Sequence, residues 1–425
     1  MASIEKKILT EILTLIRTRQ AALTSQERDL SAPRLAPAGP AVIRESQFSD
    51  FTAVTALKRR WGLVLDSFEN WERLWRHNPA LGHALFEPPI GWVLEAQGQV
   101  VGYLGNISLP YRYGDQMLIA VAASGFVVEP AYRAVSLSLI AAYYRQKSVD
   151  LYLTSTAIEA VGKIARAFKS EPLPQKDYET VLFWVLQPTL FLKEVAKKLN
   201  LRPSLAHWGA MLGSLAVGTD KILRRRWPRR SSATLAVTEI GVKDIGGDFQ
   251  DLWKEKLSEG PRLLADRSPA VMQWHFEIPG DSGTTRVLCC HRSGNLVGYA
   301  VIRNDSNQSD GLRRSLIADM LVRHDDPQVV SALLIAAYNH AKQAGSYVLE
   351  VMGFPHSIRR VCLQWNPYLR KYPSCPFYYK AADPTLHKAL SDSSAWYASP
   401  YDGDATLMPL LSTSGSQGKS AKLNS

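Results

Sequence analysis

The chain has 425 residues, which is more than one ordinary hydrophobic core holds, so its length predicts two domains with connecting segments. Hydrophobic residues make up 46% and charged residues 21% of the chain, and both fractions are ordinary for a globular protein. The formal net charge of +11 allows an acidic partner, such as nucleic acid, an anionic membrane surface or a phosphate-rich cofactor. It equally allows a solvated basic surface.

The four cysteines argue against two classes of site. Cys289 and Cys290 are adjacent, Cys362 and Cys375 stand apart, and no C-x-x-C occurs. This spacing suits neither a zinc site nor a disulfide framework, and the histidines also lack metal-ligand spacing. We therefore expect no metal site, and we expect buried thiols in a reducing compartment.

The N-terminal segment, residues 1–40, is predicted to be an amphipathic helix followed by a linker rich in Pro and Ala. Charges interrupt its apolar residues and no small-residue cleavage site follows, so it does not resemble a signal peptide. No run in the chain reaches the roughly 18 apolar residues of a membrane span. These features predict a cytoplasmic protein and leave open a peripheral contact with the inner face of a membrane.

The next elements in chain order are two strands, a third strand, a helix and a fourth strand. Residues 91–96 and 100–108 form a predicted hairpin. Residues 117–128, MLIAVAASGFVV, form an apolar run long enough for a buried central strand. The pattern then predicts a helix over residues 135–146 and a short strand over residues 150–155.

The same order of elements returns in the second half of the chain. The dipeptide Gly-Tyr at 102–103 recurs at 298–299, 196 residues later, and LIAAY at 139–143 recurs at 334–338, 195 residues later. Identical residues at a matching offset within the same element order indicate a duplicated domain. Two unrelated α/β units that share common apolar residues are the alternative.

The repeat divides the chain into five predicted segments. They are an N-terminal helix and linker (1–40), a first domain (41–185), a helical basic linker (186–231), a second domain (232–410) and a disordered tail (411–425). Residues 205–230 combine apolar stretches with a cluster of Arg and Trp, a composition that suits contact with an anionic membrane surface. An interdomain helix with a solvated basic end is the favoured alternative.

The stretch after the central strand of the first copy carries the strongest chemical signal. A buried strand ends, Pro130 breaks it, Arg133 lies in the turn, and small residues follow where a helix begins. The first amides of a helix lack intrahelical partners and carry partial positive charge, and small side chains let a phosphate approach them. We therefore predict an anion site formed by Arg133, Ala134, Val135, Ser136, Leu137 and Ser138.

This stretch, V-x-P-x-Y-R followed by small residues and an apolar helix, resembles the cofactor motif of the GCN5-related N-acetyltransferase superfamily. The residues that match are Val128, Pro130, Tyr132 and Arg133, with Ser136 and Ser138 in the two small-residue positions. The resemblance extends over residues 41–185 and 232–405 and implies two tandem α/β domains, each a mixed sheet with flanking helices. It also implies a cofactor, acetyl-CoA or another acyl-CoA, with its pantetheine arm on the strand at Val127 and Val128 and its pyrophosphate on the loop.

The sequence departs from the family pattern at both motif glycines. Ser136 and Ser138 replace them, and the Cβ of a serine crowds an approaching phosphate more than glycine does. The second copy departs further, because Asp325 and Asp326 lie where a pyrophosphate would sit and would repel it. Only the first copy therefore keeps a plausible phosphate loop.

The candidate catalytic residues are few, because residues 117–128 contain no carboxylate that could act as a general base. They are Glu129 at the end of this strand, Tyr132 in the turn, and Asp319 on the central strand of the second copy. Burial would raise the pKa of a carboxyl such as Asp319 and suit it to act as a base. The structural alternatives are packing roles for Tyr132 and Tyr143, and an Asp319 satisfied by local backbone amides.

Three functions stay open, in order of preference. The first is an enzyme that transfers an acyl group, expected to be acetyl, from acyl-CoA to an amine or hydroxyl of an unidentified acceptor. The second is a degenerate pair of domains that serves as a binding or scaffold module, because the motif glycines and the family's usual acid tyrosine are missing. The third resembles the FemABX-like peptidyltransferases, which use aminoacyl-tRNA. The first loop resembles a coenzyme A loop more than a tRNA surface, so nucleic acid is not the expected partner.

Overall fold

The computed structural model describes residues 39–82, 88–156, 159–198, 217–220, 226–227, 234–281, 283–305, 311–371 and 377–408. The predicted N-terminal helix, most of the predicted membrane-contact segment and the tail after residue 411 lie outside these residues. Within them the chain forms two mixed β-sheets with flanking helices, so the predicted α/β class is confirmed.

The first sheet is built mainly from the first half of the chain. In sheet order its main path is β1 (Val42–Glu45), β2 (Gly91–Ala96), β3 (Gln99–Tyr113), β4 (Gln116–Val128), β5 (Leu151–Thr154), β15 (Tyr378–Ala381) and β6 (Glu171–Pro172), and β9 (Leu263–Ala265) pairs with the far end of β3. One face packs against α1 (Phe51–Arg60) and α2 (Phe68–Trp71), which a π-helical turn (Glu72–Arg76) continues. The other face packs against α3 (Leu137–Tyr144).

The second sheet repeats this arrangement. In sheet order its strands are β14 (Tyr368–Lys371), β7 (Thr180–Val185), β13 (Val348–Val351), β12 (Arg314–Val322), β11 (Asn295–Asp305), β10 (Thr285–Arg292) and β8 (Leu235–Ile240). The remaining helices are α4 (Glu159–Ala167), α5 (Pro188–Lys198), α6 (Gly247–Ser258), α7 (Pro269–Phe276), α8 (Pro327–Gln343), α9 (His356–Leu363) and α10 (Pro384–Ala389). No helix in the described ranges has the length and apolar character needed to cross a membrane.

The two sheets exchange strands. β7 comes from the first half of the chain but lies between β13 and β14 of the second sheet. β15 comes from the second half but lies between β5 and β6 of the first sheet. Residue 185, the predicted end of the first domain, is therefore the last residue of a strand that belongs to the second sheet. The five predicted segments stay a proposal.

A shared apolar core joins the two sheets. Its members include Leu57 and Trp71 from the first half and Tyr299, Leu321 and Trp396 from the second, each nearly inaccessible to solvent. Burial of apolar surface is the main driving force of folding, so the two halves stabilise each other directly. The predicted buried thiols agree with this packing, because Cys289, Cys290 and Cys362 are free and buried.

Two irregularities of the first sheet create its cleft. Opposite β3, the register jumps from Val127 to Ser124, so Gly125 and Phe126 form a bulge facing the single residue Leu104. On the other side of β4, parallel pairing with β5 extends only as far as Ala122. β4 then continues to its end beside β3 alone, and the gap between β4 and β5 opens toward the carboxyl ends of these parallel strands.

Candidate functional site

The predicted anion loop lies at the open end of this gap. A 3₁₀-helical turn, Pro130–Val135, follows β4, and α3 begins at Leu137. The side chains of Arg133, Ala134 and Val135 are exposed. Leu137 is also 52% exposed, although it is apolar and begins a helix. The loop is therefore an open surface at the start of a helix, as an anion site requires.

The two serines that replace the motif glycines keep their hydroxyls within the loop. Ser136 Oγ donates to the carbonyl oxygen of Arg133, and Ser138 Oγ donates to that of Val135, both at 2.7 Å. These bonds turn each hydroxyl back toward the preceding turn. The predicted cofactor residues of β4 are less open, because Val127 is buried and Val128 is half-buried.

Glu129, a predicted catalytic residue, is buried and paired. One carboxylate oxygen accepts from Arg60 Nε at 2.9 Å and Arg60 Nη2 at 2.7 Å, and the other accepts from Trp61 Nε1 at 3.1 Å. These contacts join the end of α1 to the end of β4. The structure therefore gives Glu129 a positioning contact at the loop, and its catalytic role stays a prediction.

The tyrosines of this region face the sheet. Tyr132 is buried against the α3 side, and its amide donates to the carbonyl oxygen of Glu129 at 2.9 Å. The Tyr143 hydroxyl lies 2.8 Å from the carbonyl oxygen of Val121 and 2.9 Å from that of Leu153, and it accepts from the Leu153 amide. Burial raises the pKa of Tyr143 well above its usual value. The Tyr143 side chain therefore lies between β4 and β5 where the two strands separate, and we call it the wedge between them.

A cationic side chain lies beside the bulge on the other face. A Cβ at Gly125, whose φ is +65°, would lie 2.9 Å from Lys58 Cε and 3.2 Å from its Nζ. Lys58 pairs with the buried Asp66 at 2.9 Å, and its Nζ lies 5.4 Å from the centre of the Tyr103 ring. Glycine at the bulge therefore leaves room for this ammonium group close to the backbone of β4.

A carboxylate that sequence reasoning missed lies in the gap itself. Asp404 Oδ1 accepts from Ser155 Oγ at 2.7 Å and from Thr156 Oγ1 at 3.0 Å, just beyond the end of β5. Burial raises the pKa of the Asp404 carboxyl above its usual range, although hydrogen bonds from Ser155 and Thr156 oppose that shift. These hydrogen bonds attach the Asp404 carboxyl to the end of β5, at the gap.

Asp404 belongs to a segment that we call the C-terminal strap (residues 396–408). The strap contacts both sheets. Its sequence is aromatic and acidic, with Trp396, Tyr397 and Tyr401 beside Asp402 and Asp404. Its Tyr397 hydroxyl donates to the Met320 carbonyl oxygen on β12 at 2.9 Å. Asp404 then enters the first cleft, so one strap contributes to both clefts.

The position of Asp319 differs from that of a free base. Asp319 is the equivalent in β12 of Gly125 in β4. Each lies three residues before a valine, Val322 or Val128, and these valines pair with the equivalent glycines, Gly298 and Gly102. The two oxygens of Asp319 accept from Arg267 Nε and Nη2 at 2.9 and 3.0 Å. The hydroxyls of Tyr299 and Ser399 donate to it at 2.9 and 2.8 Å. The carboxylate is fully buried, with four hydrogen bonds.

The loop of the second copy is likewise occupied by its own side chains. Asp325 accepts from Lys256 Nζ at 2.6 Å, Arg262 Nη1 at 2.9 Å and Ser357 Oγ at 2.7 Å. These cations lower the pKa of the Asp325 carboxyl against the opposing effect of burial. Asp326 caps α8 through the amide of Gln328. The cations near this loop thus already hold an internal carboxylate.

Other expectations concern ions and partners. Among the described residues, no group of three or more His, Cys, Asp and Glu side chains is arranged to hold a metal ion. The predicted membrane-contact segment lies largely outside the described ranges.

Comparison with known proteins identifies the fold. No protein-family model and no curated protein matches this chain. A GCN5-related N-acetyltransferase from Anabaena variabilis matches over 81% of this chain and 73% of its own, with a TM-score of 0.52 and 11% identity. A probable N-acyltransferase of unknown function from Enterococcus faecalis gives the same coverage, a TM-score of 0.51 and 9% identity.

A third similar structure is the N-myristoyltransferase of Saccharomyces cerevisiae with bound myristoyl-CoA and inhibitors. It matches over 83% of this chain and 82% of its own, with a TM-score of 0.51 and 12% identity. At such identities the likeness establishes the fold alone. The chain therefore has the fold of the GCN5-related N-acetyltransferases, as the loop motif predicted.

Proposed function

We propose that this protein transfers an acyl group from acyl-CoA to an amine or hydroxyl of an acceptor, with acyl-CoA bound by the first sheet. The observation that carries the proposal is the combination at one end of that sheet: β4 and β5 separate, and an exposed loop leads into α3. Three similar solved structures are an N-acetyltransferase, a probable N-acyltransferase and an N-myristoyltransferase with its acyl-CoA. We expect acetyl-CoA to be a donor.

The residues present fit such a donor. β4 beyond Ala122 has a strand edge that β5 does not pair, and this edge can bond an extended amide-containing arm. The exposed turn and the first amides of α3 can receive a pyrophosphate, with Arg133 adding charge. The serine hydroxyls donate away into the preceding turn, which lessens the crowding expected from replacing glycine.

Asp404 is our candidate for the general base. A carboxyl with a raised pKa accepts a proton more effectively near neutral pH than an ordinary aspartate. In the transfer step a new bond forms between the acceptor nitrogen or oxygen and the acyl carbon, and the carbon–sulfur bond breaks. The acceptor proton passes to Asp404, and coenzyme A leaves as a thiolate that takes a proton from water. The chain also aligns the two reactants, which contributes much of the rate of such reactions.

The second copy has a different role in this proposal. Arg267 and the strap fill its cleft around Asp319, and Asp325 holds the cations near its loop. We therefore assign donor binding to the first copy alone, and we propose that the second copy supports the strap. The acceptor would approach the first cleft from the side of Lys58, where α1 borders the bulge.

The first experiment measures the melting temperature with acetyl-CoA and with free coenzyme A. A ligand present at 100 times its dissociation constant stabilises the native state by about 2.7 kcal/mol, which is a shift of several degrees. The test variant combines Arg133→Glu with Ser136→Asp and should lose this shift. The control is Arg145→Glu at the other end of α3, which makes on an exposed residue the same charge change as Arg133→Glu and should keep the shift.

Two outcomes would contradict the proposal. If folded wild type shows no shift with either ligand, the coenzyme A assignment fails and the scaffold function leads. If RNA co-purifies with the protein and its affinity falls steeply with salt, the aminoacyl-tRNA-dependent function leads, because phosphate contacts make binding salt-dependent.

A further inference from the structure

Arg73 is a buried cation that, within the described residues, donates its hydrogen bonds to the oxygen atoms of amide groups. Its Nη1 donates to the carbonyl oxygen of Trp274 at 2.6 Å and its Nη2 to that of Leu407 at 2.6 Å, while Nε donates to Asn70 Oδ1 at 2.9 Å. Burial, with Arg303 adding repulsion, lowers the pKa of Arg73 to about 10. Burying a charge without a paired carboxylate is costly, so such a residue calls for a specific explanation.

The explanation lies in what Arg73 holds. Arg303, buried on β11, donates to the carbonyl oxygens of Thr406 at 2.9 Å and Met408 at 3.2 Å. Arg73 holds the carbonyl oxygen of Leu407 between them. Three consecutive carbonyl groups of the strap thus accept from two arginines, one from each half of the chain. A guanidinium suits this task because its donors form a rigid planar fork.

The same cluster fixes the strap through its side chains. His275 Nε2 lies 2.7 Å from Thr406 Oγ1, and the His275 ring stacks on Tyr401 at 4.0 Å between centres. Burial, and then the nearby arginines, lower the pKa of His275 well below its usual value, so this ring stays neutral. The strap is therefore anchored within a few residues of Asp404.

We propose that Arg73 is a positioning residue for acyl transfer: by holding the strap at Leu407, it sets the Asp404 carboxylate between β4 and β5. The proposal rests on the function proposed above, in which Asp404 accepts the acceptor's proton. The chain returns from Leu407 to Asp404 through a tight turn, since the Leu407 amide donates to the Asp404 carbonyl oxygen at 3.2 Å. A displacement at Leu407 is thus transmitted directly to Asp404.

The test is a double-mutant cycle between Arg73→Lys and Asp404→Asn. Lysine keeps the charge and loses the fork, so the protein should fold. The rate is the release of free thiol from acetyl-CoA with ethylamine as the acceptor, and the affinity for acetyl-CoA is measured by calorimetry. We expect Arg73→Lys to lower kcat about 10-fold or more with the acetyl-CoA Kd changed less than about 2-fold. We expect it to cause no further loss in the Asp404→Asn protein, since coupled residues are non-additive.

Two further measurements separate positioning from general damage. Trp274→Phe removes the equally buried bond from Trp274 Nε1 to the Arg73 carbonyl oxygen, leaves the Leu407 contact, and should keep kcat. Hydroxylamine is neutral at pH 7 and needs little help from a base, so it should restore most of the rate that Arg73→Lys loses with ethylamine. An equal fold-loss caused by Arg73→Lys with and without Asp404 would overturn the proposal.

Amide hydrogen exchange over residues 402–407 tests the same contact without using activity. Arg73→Lys should speed exchange there and leave β4 unchanged, while Trp274→Phe should do neither. Unchanged exchange in this segment would overturn the proposal on its own. Failure of wild type to bind acetyl-CoA would instead remove the proposed function, while the exchange result would still decide whether Arg73 sets the strap.

Discussion

Replacing Asp319 with asparagine should destabilise the protein rather than remove its chemistry. The carboxylate is fully buried and makes a two-pronged ion pair with Arg267, which is itself inaccessible to solvent. Breaking a buried ion pair by removing one partner costs about 3–5 kcal/mol, because the other charge is left without compensation. Asparagine keeps the shape of the side chain, so the change isolates the charge.

The lower end of that range is expected because a second carboxylate can respond. Asp402 Oδ2 lies 3.2 Å from Arg267 Nη2, and burial raises the pKa of Asp402. Once Asp319 is neutral, Asp402 remains beside Arg267 as a second carboxyl partner and recovers part of the loss. A cost of about 3 kcal/mol corresponds to a fall in melting temperature of about 6–12 °C for a unit of 150–250 residues.

The assay is thermal unfolding at pH 7, followed by acetyl-CoA binding well below the transition. Asp402→Asn is the matched control: it leaves the Arg267–Asp319 pair in place and removes a carboxylate that is costly to ionise, so its melting temperature should fall less. Both variants should bind acetyl-CoA with the affinity of wild type. A variant Asp319→Asn that melts within 2 °C of wild type but transfers acyl groups 100-fold more slowly would refute this reasoning and return Asp319 to the catalytic residues.

Three further changes test the first cleft. Folding raises the pKa of Asp404, so its ionisation lowers the stability of the native state as pH rises from the usual carboxyl range through the raised value. Asp404→Asn should therefore have a higher melting temperature than wild type at neutral pH and no higher one below pH 4. Thermal unfolding from pH 3 to 8 tests this. Gly403→Ala should lower the melting temperature by the equivalent of about 1–3 kcal/mol, because φ is +96° and the added Cβ would overlap Ser155 Oγ, whereas an unchanged melting temperature would show that the strap can move away. Tyr143→Phe leaves the carbonyl oxygen of Val121 without its donor and should cost about 1–3 kcal/mol and weaken acetyl-CoA binding by calorimetry, while full retention of both would contradict its role as the wedge.

Local patterns predicted much of each sheet. The apolar run at 117–128 is β4, the hairpin at 91–108 is β2 and β3, and the repeated Gly-Tyr dipeptides pair with equivalent positions of β4 and β12. These features follow from side-chain periodicity and turn chemistry within short windows. The loop motif was found for the same reason, since its chemistry is contained within a few consecutive residues.

The strand exchange and the strap could not be predicted in this way. β7 and β15 are short strands, and their own sequences do not specify which sheet they join. Asp404 lies 249 residues after Ser155, its partner in the first cleft, and no local pattern connects such positions. The Gly403 between two aspartates was a usable signal, because a glycine with positive φ marks a place where the chain must approach another group closely.

The two copies differ at one position of the central strand, and this difference accompanies the difference between their clefts. In the second sheet a carboxylate, Asp319, occupies the position equivalent to Gly125 and needs a buried cation, and Arg267 together with the strap then fills the cleft. In the first sheet glycine occupies that position, so the cleft has no internal charge of its own on β4. The strap supplies a carboxyl group, Asp404, from the other half of the chain. Two copies of one fold thus complete one cleft together, and this arrangement ties the proposed chemistry of the first copy to the packing of the second.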